Sequence, residues 1–110
     1  TKLFFLSFFF FGIHSLASAQ SKEIKFLVNG NCSVCENRIE NALNVKGVEI
    51  ADWDLSTHIC TVTFNSNEIK EDNIHRIIAI AGHDTPKYKA EEINYQALKT
   101  CCKYKRIYTE

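Results

Sequence analysis

The chain has 110 residues, and its 13 lysines and arginines are balanced by 13 aspartates and glutamates. That balance argues against a nucleic-acid binder, which needs a concentrated basic surface to displace counterions from phosphates. The length allows one small domain with a single modest core.

Residues 1–19 read as an export signal rather than as part of the fold. Lys2 supplies a positive start, and Leu3 to Ile13 is an apolar block containing Phe4, Phe5, Phe8, Phe9, Phe10 and Phe11. Ala17-Ser18-Ala19 then has the small-x-small pattern of a signal-peptidase site. The block is shorter than the roughly 20 apolar residues that span a bilayer. Cleavage near Ala19 would leave an exported protein, periplasmic or extracellular, whose thiols face an oxidising environment. All five cysteines, Cys32, Cys35, Cys60, Cys101 and Cys102, lie in this mature part. Five is odd, so at least one is free, metal-bound or paired with another molecule.

From residue 20 the chain reads as strand, helix, strand, strand, helix, strand. Ile24, Phe26 and Val28 alternate with Lys25, Leu27 and Asn29, the period-two pattern of a strand with one buried face. Ser33 is placed to cap a helix over about 33–45, with Cys35, Ile39, Ala42 and Leu43 on its apolar stripe and Gly47 after its end. Val48, Ile50 and Trp53 begin a second strand, 54–57 form a polar turn, and 59–64 form the β-branched return strand. Ile74, Ile77, Ile78 and Ala81 predict a helix over about 70–81, stopped by Gly82. A short last strand is expected around Tyr88, confined by Pro86 to a sheet edge or a strand start. The order predicts an α+β, ferredoxin-like βαββαβ sandwich: a four-stranded antiparallel sheet with two helices on one face. Residues 20–90 form this domain, and 91–110 are a C-terminal extension with a short helix over 91–99 before Cys101-Cys102.

Gly30-Asn31-Cys32-Ser33-Val34-Cys35 stands between the first strand and the first helix. Two thiols at this spacing either converge on a soft metal ion or close into a redox disulfide. The free N–H groups and positive dipole end of the helix favour thiolate there, and thiolates select Cu(I) or Zn(II) over hard cations. A thioredoxin-like oxidoreductase would set the pair in a parallel βαβ unit near a cis-proline. This chain has one proline, Pro86, and no such unit.

Over about 22–89 the chain resembles the heavy-metal-associated domain family of copper chaperones and periplasmic mercury-binding proteins. The resemblance rests on the placed Cys pair, on Lys46-Gly47-Val48 and on Ala81-Gly82-His83-Asp84. It implies a Cu(I) carrier with Cys32 and Cys35 as thiolate ligands, Zn(II) or Hg(II) being the other candidate ions. The implied partner is a metal-transporting membrane protein or another metal acceptor. The chain departs from the family in two places. Its loop is one residue short and lacks the family's Met, which packs beneath the loop, and about twenty residues follow the expected last strand.

His83 should fall at the same end of the sheet as the Cys pair, as a third ligand or a solvated loop residue. A nine-residue helix rises roughly 13 Å, enough to return the extension toward the pair. Cys101 and Cys102 are therefore candidate ligands, and three or four sulfurs suit tetrahedral Zn(II) or a capped Cu(I). A disulfide to Cys32 or Cys35, or an idle pair, are the other readings. Cys60 shares an apolar strand face with Val62 and Phe64 and should be buried and inert. Trp53, Tyr88 and Tyr104 read as packing residues. His58, His75 and the basic tail, Lys99, Lys103, Lys105 and Arg106, read as solvated. No constellation for turnover is present, so a binding module that passes metal by thiolate exchange is preferred to an enzyme. A thiol–disulfide exchange protein is the alternative.

Overall fold

The computed structural model describes residues 20–106, and the expected export signal lies outside them. The elements are β1 (Ser21–Leu27), α1 (Ser33–Ala42), β2 (Val48–Trp53), β3 (Ile59–Asn65), α2 (Glu71–Ile80), α3 (Glu92–Gln96) and a 3-10 turn (Thr100–Cys102). Among the described residues no helix is long and apolar enough to cross a membrane.

The sheet is antiparallel in the order β1-β3-β2. Register sets Phe26 opposite Cys60 and Cys60 opposite Trp53, so these side chains share one face. Cys60, Val62 and Phe64 alternate into the core, as their period-two spacing requires. The helices supply Ile39, Leu43, Ile74 and Ile78 to the same core. Asp54 shapes the β2–β3 turn: its carboxylate accepts the Thr57 hydroxyl at 2.8 Å and the Ser56 N–H at 3.3 Å.

Gly82 ends α2 in a Schellman motif. Its N–H donates to the Ala79 carbonyl and the His83 N–H to the Ile78 carbonyl, with Gly82 at φ 109°. A Cβ at Gly82 would lie 2.9 Å from both the Asn94 oxygen and a Leu98 methyl. The glycine thus sets the left-handed turn and also leaves room for the C-terminal extension.

The fourth strand expected near Tyr88 does not form, and the sheet has three strands among the described residues. The local backbone groups are spent elsewhere. Thr85 N–H donates to the Tyr88 carbonyl, and Thr85 Oγ1 accepts from the N–H groups of Lys87 and Tyr88. Pro86 has no N–H to offer β1. The segment closes a turn over α2, where the Tyr88 hydroxyl donates to Asp72 at 2.7 Å.

That turn also corrects the reading of His75, which is buried and not solvated. Its Nδ1 lies 2.9 Å from Thr85 Oγ1, and its ring stands 4.0 Å from that of Phe26. Both Thr85 lone pairs already accept backbone N–H groups, so its hydroxyl donates and Nδ1 accepts as neutral imidazole. Burial, and after it the nearby Lys87 charge, lowers the His75 pKa, against a smaller pull from Glu71 and Asp72. The unfolded chain then binds the proton more readily than the folded one. Stability should be fully present above about pH 6.5 and fall as pH drops below it toward the folded-state pKa. Urea midpoints compared at neutral and mildly acid pH should fall, and the fall should shrink in His75→Phe.

Candidate metal centre

The first turn of α1 presents the Cys pair. Cys32, with extended backbone, is its N-cap; Ser33, read from sequence as the cap, is the first helical residue. The Cys32 sulfur stands 3.7 Å from that of Cys35, which also accepts the Asn31 N–H at 3.4 Å. The Cys35 N–H foremost, then the Val34 N–H and the neighbouring thiols, lower the Cys32 pKa to about 7 against a desolvation cost. The N-cap side chain makes no capping hydrogen bond, and the positive end of the helix favours the charged form of the thiol beside it.

Trp53 supports the loop from below. A Cβ at Gly30 would be 3.0 Å from its Cζ2 and 3.2 Å from Cys35 Cβ, so any larger residue would push the ring or the loop aside by a few tenths of an ångström. The indole N–H donates to the Val28 carbonyl at 3.0 Å, and the Trp53 backbone N–H donates to Glu40 at 2.9 Å. The buried ring occupies space beneath a loop that has no methionine.

The C-terminal extension returns to the same place, by a shorter helix than expected. The Cys102 sulfur is 3.9 Å from that of Cys32, and the Cys32 thiol reaches the Cys101 carbonyl at 3.5 Å. The sulfurs of Cys32, Cys101 and Cys102 all lie within 4.8 Å of one another. Cys102 is fully buried while Cys101 is exposed. Burial first, then the adjacent Cys35, Cys32 and Cys101 thiols, push the Cys102 pKa up. The two thiols are therefore shifted in opposite directions, Cys32 down toward neutral pH and Cys102 up.

Tyr104, read as a packing residue, and Arg106, read as part of a solvated tail, anchor this return. The Tyr104 hydroxyl donates to the Gly82 carbonyl at 2.8 Å and accepts the Asp84 N–H at 3.0 Å. Arg106 grips the buried Asp84 carboxylate through Nε at 3.2 Å and Nη2 at 2.6 Å. It also donates to the Ala90 carbonyl and lies 4.6 Å over the Tyr95 ring. The basic residues of the tail gave a charge signal only. Arg106 finds Asp84 by folding, and no spacing rule connects residues 22 apart.

His83 is not brought to the sulfurs among the described residues. It is fully buried, with Nδ1 2.8 Å from the Asn29 carbonyl and its ring stacked on Tyr104. A carbonyl only accepts, so Nδ1 carries the proton; Nε2 is buried without a partner. Burial is the first cause lowering its pKa. The imidazole joins the Cys loop to the extension instead of solvating. Cys60 is buried on β3, and burial pushes its thiol up to about 12.

The donor set suits a soft ion. With metal–sulfur bonds of about 2.3 Å, sulfurs stand about 3.8 Å apart in a tetrahedron, about 4.0 Å in a trigonal plane and about 4.6 Å in a linear pair. Separations of 3.7 and 3.9 Å set Cys35 and Cys102 each within reach of an ion bound to Cys32.

Solved structures share this architecture. The CopZ metallochaperone is 26% identical, with a TM-score of 0.56 over 58% of this chain and 98% of that one. MerP from Ralstonia metallidurans CH34 is 25% identical, with a TM-score of 0.56 over 59% of this chain and 93% of that one. The yeast copper transporter domain CCC2A is 38% identical, with a TM-score of 0.53 over 58% of this chain and 90% of that one. No curated protein matches the chain. The heavy-metal-associated domain matches residues 26–84, from the end of β1 through Asp84, and so includes both thiols of α1. With the Cys pair at the mouth of α1 and this match over more than half its length, the chain belongs to the heavy-metal-associated domain family.

Proposed function

We propose that this protein is an exported carrier of a soft metal ion, Cu(I) foremost, with Zn(II) and Hg(II) as the other ions its donors suit. Cys32 and Cys35 bind the ion, the extension adds sulfur from Cys102 with Cys101 at its rim, and the ion passes to an acceptor by thiolate exchange. The convergence of the extension on the Cys pair, with Cys102 3.9 Å from Cys32, carries the reading. Sulfur donors select soft ions. Likeness to a metallochaperone and to a copper transporter domain agrees with that class. The acceptor is a metal-transporting membrane protein or another thiol-bearing metal acceptor. Export is proposed from the apolar block and Ala17-Ser18-Ala19 alone. His83 serves here as a support: its Nδ1–H donates to the Asn29 carbonyl, and its ring nitrogens do not group with the sulfurs.

Titration of the reduced protein with Cu(I) against a competing chelator tests this. Tight binding near one ion per chain should vanish in a Cys32→Ser, Cys35→Ser double variant. Equal binding by the variant sinks the reading. A second reading is favoured by the same 3.7 Å contact and the low Cys32 pKa: a thiol–disulfide exchange protein. Reduction of a test disulfide at catalytic ratios, with no metal held under reducing conditions, would establish it instead.

A further inference from the structure

We propose that the segment Thr100 to Arg106 is a clip: it lends Cys102 to the metal as a third thiolate and yields that position to the acceptor's thiolate during transfer. This rests on the reading of Cys32 and Cys35 as the metal site.

The 3-10 turn decides which thiol serves. Successive residues of such a turn point about a third of a revolution apart, so the two adjacent cysteines differ in burial although both sulfurs lie within 4.8 Å of Cys32. Cys102 is the buried one and stands 3.9 Å from Cys32; Cys101 is exposed. The turn closes through the Cys102 N–H to the Lys99 carbonyl at 2.8 Å.

No disulfide ties the clip down. Its hold is two residues further along, on the loop that follows α2. Tyr104 bridges Gly82 and Asp84 through one hydroxyl, and Arg106 binds Asp84 and Ala90. That loop is tied in turn to the Cys loop, through the Asn29 N–H to the Asp84 carbonyl at 3.1 Å and through His83 to the Asn29 carbonyl. Cys loop, post-α2 loop and clip form one connected polar unit, with Cys102 at its sulfur end. Such a hold is firm enough to position a ligand and is made of contacts that open without breaking a covalent bond.

The exchange balances simply. An incoming thiol gives up its proton and bonds the metal as thiolate; the metal–Cys102 bond breaks and Cys102 takes up a proton. The charge and oxidation state of the ion do not change. Cys32 and Cys35 hold the ion during this first exchange; they then leave in turn, each taking up a proton as a further acceptor thiolate bonds the metal.

The test uses the Cu(I)-loaded protein, with sulfur coordination read by X-ray absorption and release to dithiothreitol read by stopped flow. Wild type should show three sulfurs. Cys102→Ser should show two, and Cys101→Ser should keep three. Tyr104→Phe keeps the ring and removes two hydrogen bonds, so sulfur count should drop toward two and release should quicken about tenfold. Arg106→Gln makes the same comparison should Tyr104→Phe not fold. Two sulfurs in wild type, or three persisting in Cys102→Ser, overturns the clip while leaving the carrier standing. Absence of Cu(I) binding in wild type overturns the carrier reading itself.

Discussion

Replacing Cys32 by serine should weaken Cu(I) binding by more than about 100-fold, beyond what loss of an outer-shell partner costs a metal site. Cys32 is the sulfur the others surround: Cys35 lies 3.7 Å from it on one side and Cys102 3.9 Å on the other. It is also the thiol that the α1 N–H groups hold near pH 7, so it reaches the ionised form most readily. A hydroxyl there is a hard, neutral donor with little affinity for a soft ion. Cys60→Ala provides the contrast. That thiol is buried on β3 with its pKa pushed up to about 12, and its removal should leave Cu(I) affinity unchanged. Chelator competition on both variants measures the difference. Equal losses would mean that Cys32 has no special part.

The second large effect is on stability. Trp53→Ala should destabilise the fold by about 3–5 kcal/mol, the usual result of emptying a buried aromatic position. The side chain is fully buried, and its indole N–H satisfies the Val28 carbonyl just before the Cys loop. Urea unfolding gives the number. Under conditions where the variant remains folded, its Cu(I) affinity should also fall by about 10–100-fold, as when a supporting shell is lost. The ring packs against Gly30 of the Cys loop. Trp53→Phe, which keeps an aromatic filler, should lose less of both. An alanine variant as stable as wild type would mean that the loop is held by other contacts.

Local pattern was enough for most of the domain. The spacing of Ile24, Phe26 and Val28 placed β1, and that of Ile74, Ile77 and Ile78 placed α2, because burial of one face forces a period of two or of 3.6. Gly82 marked the end of α2 because only glycine accepts its left-handed turn without strain. Around Tyr88 the same approach failed. Residues 85–88 can pair with β1 or close on themselves, and the hydroxyl of Thr85 tips the balance toward the turn. His75 was misread for the same reason: its partner is Thr85 of that turn, and the helical pattern around it says only that the position flanks the apolar stripe.

What the sequence determined by itself was the family and the helix-mouth Cys pair, since these follow from residue type and short spacing. It also showed that five cysteines cannot all pair among themselves. Tertiary structure alone decided the rest of the site. It chose Cys102 over Cys101 as the buried sulfur, turned His83 to the Asn29 carbonyl, and set Trp53 beneath the loop. It also took Arg106 out of a solvated basic tail and joined it with Tyr104 as the anchor on Asp84. Each of these joins residues far apart in the chain, and contacts of that kind are fixed by packing and by the pairing of buried polar groups. No local periodicity records them.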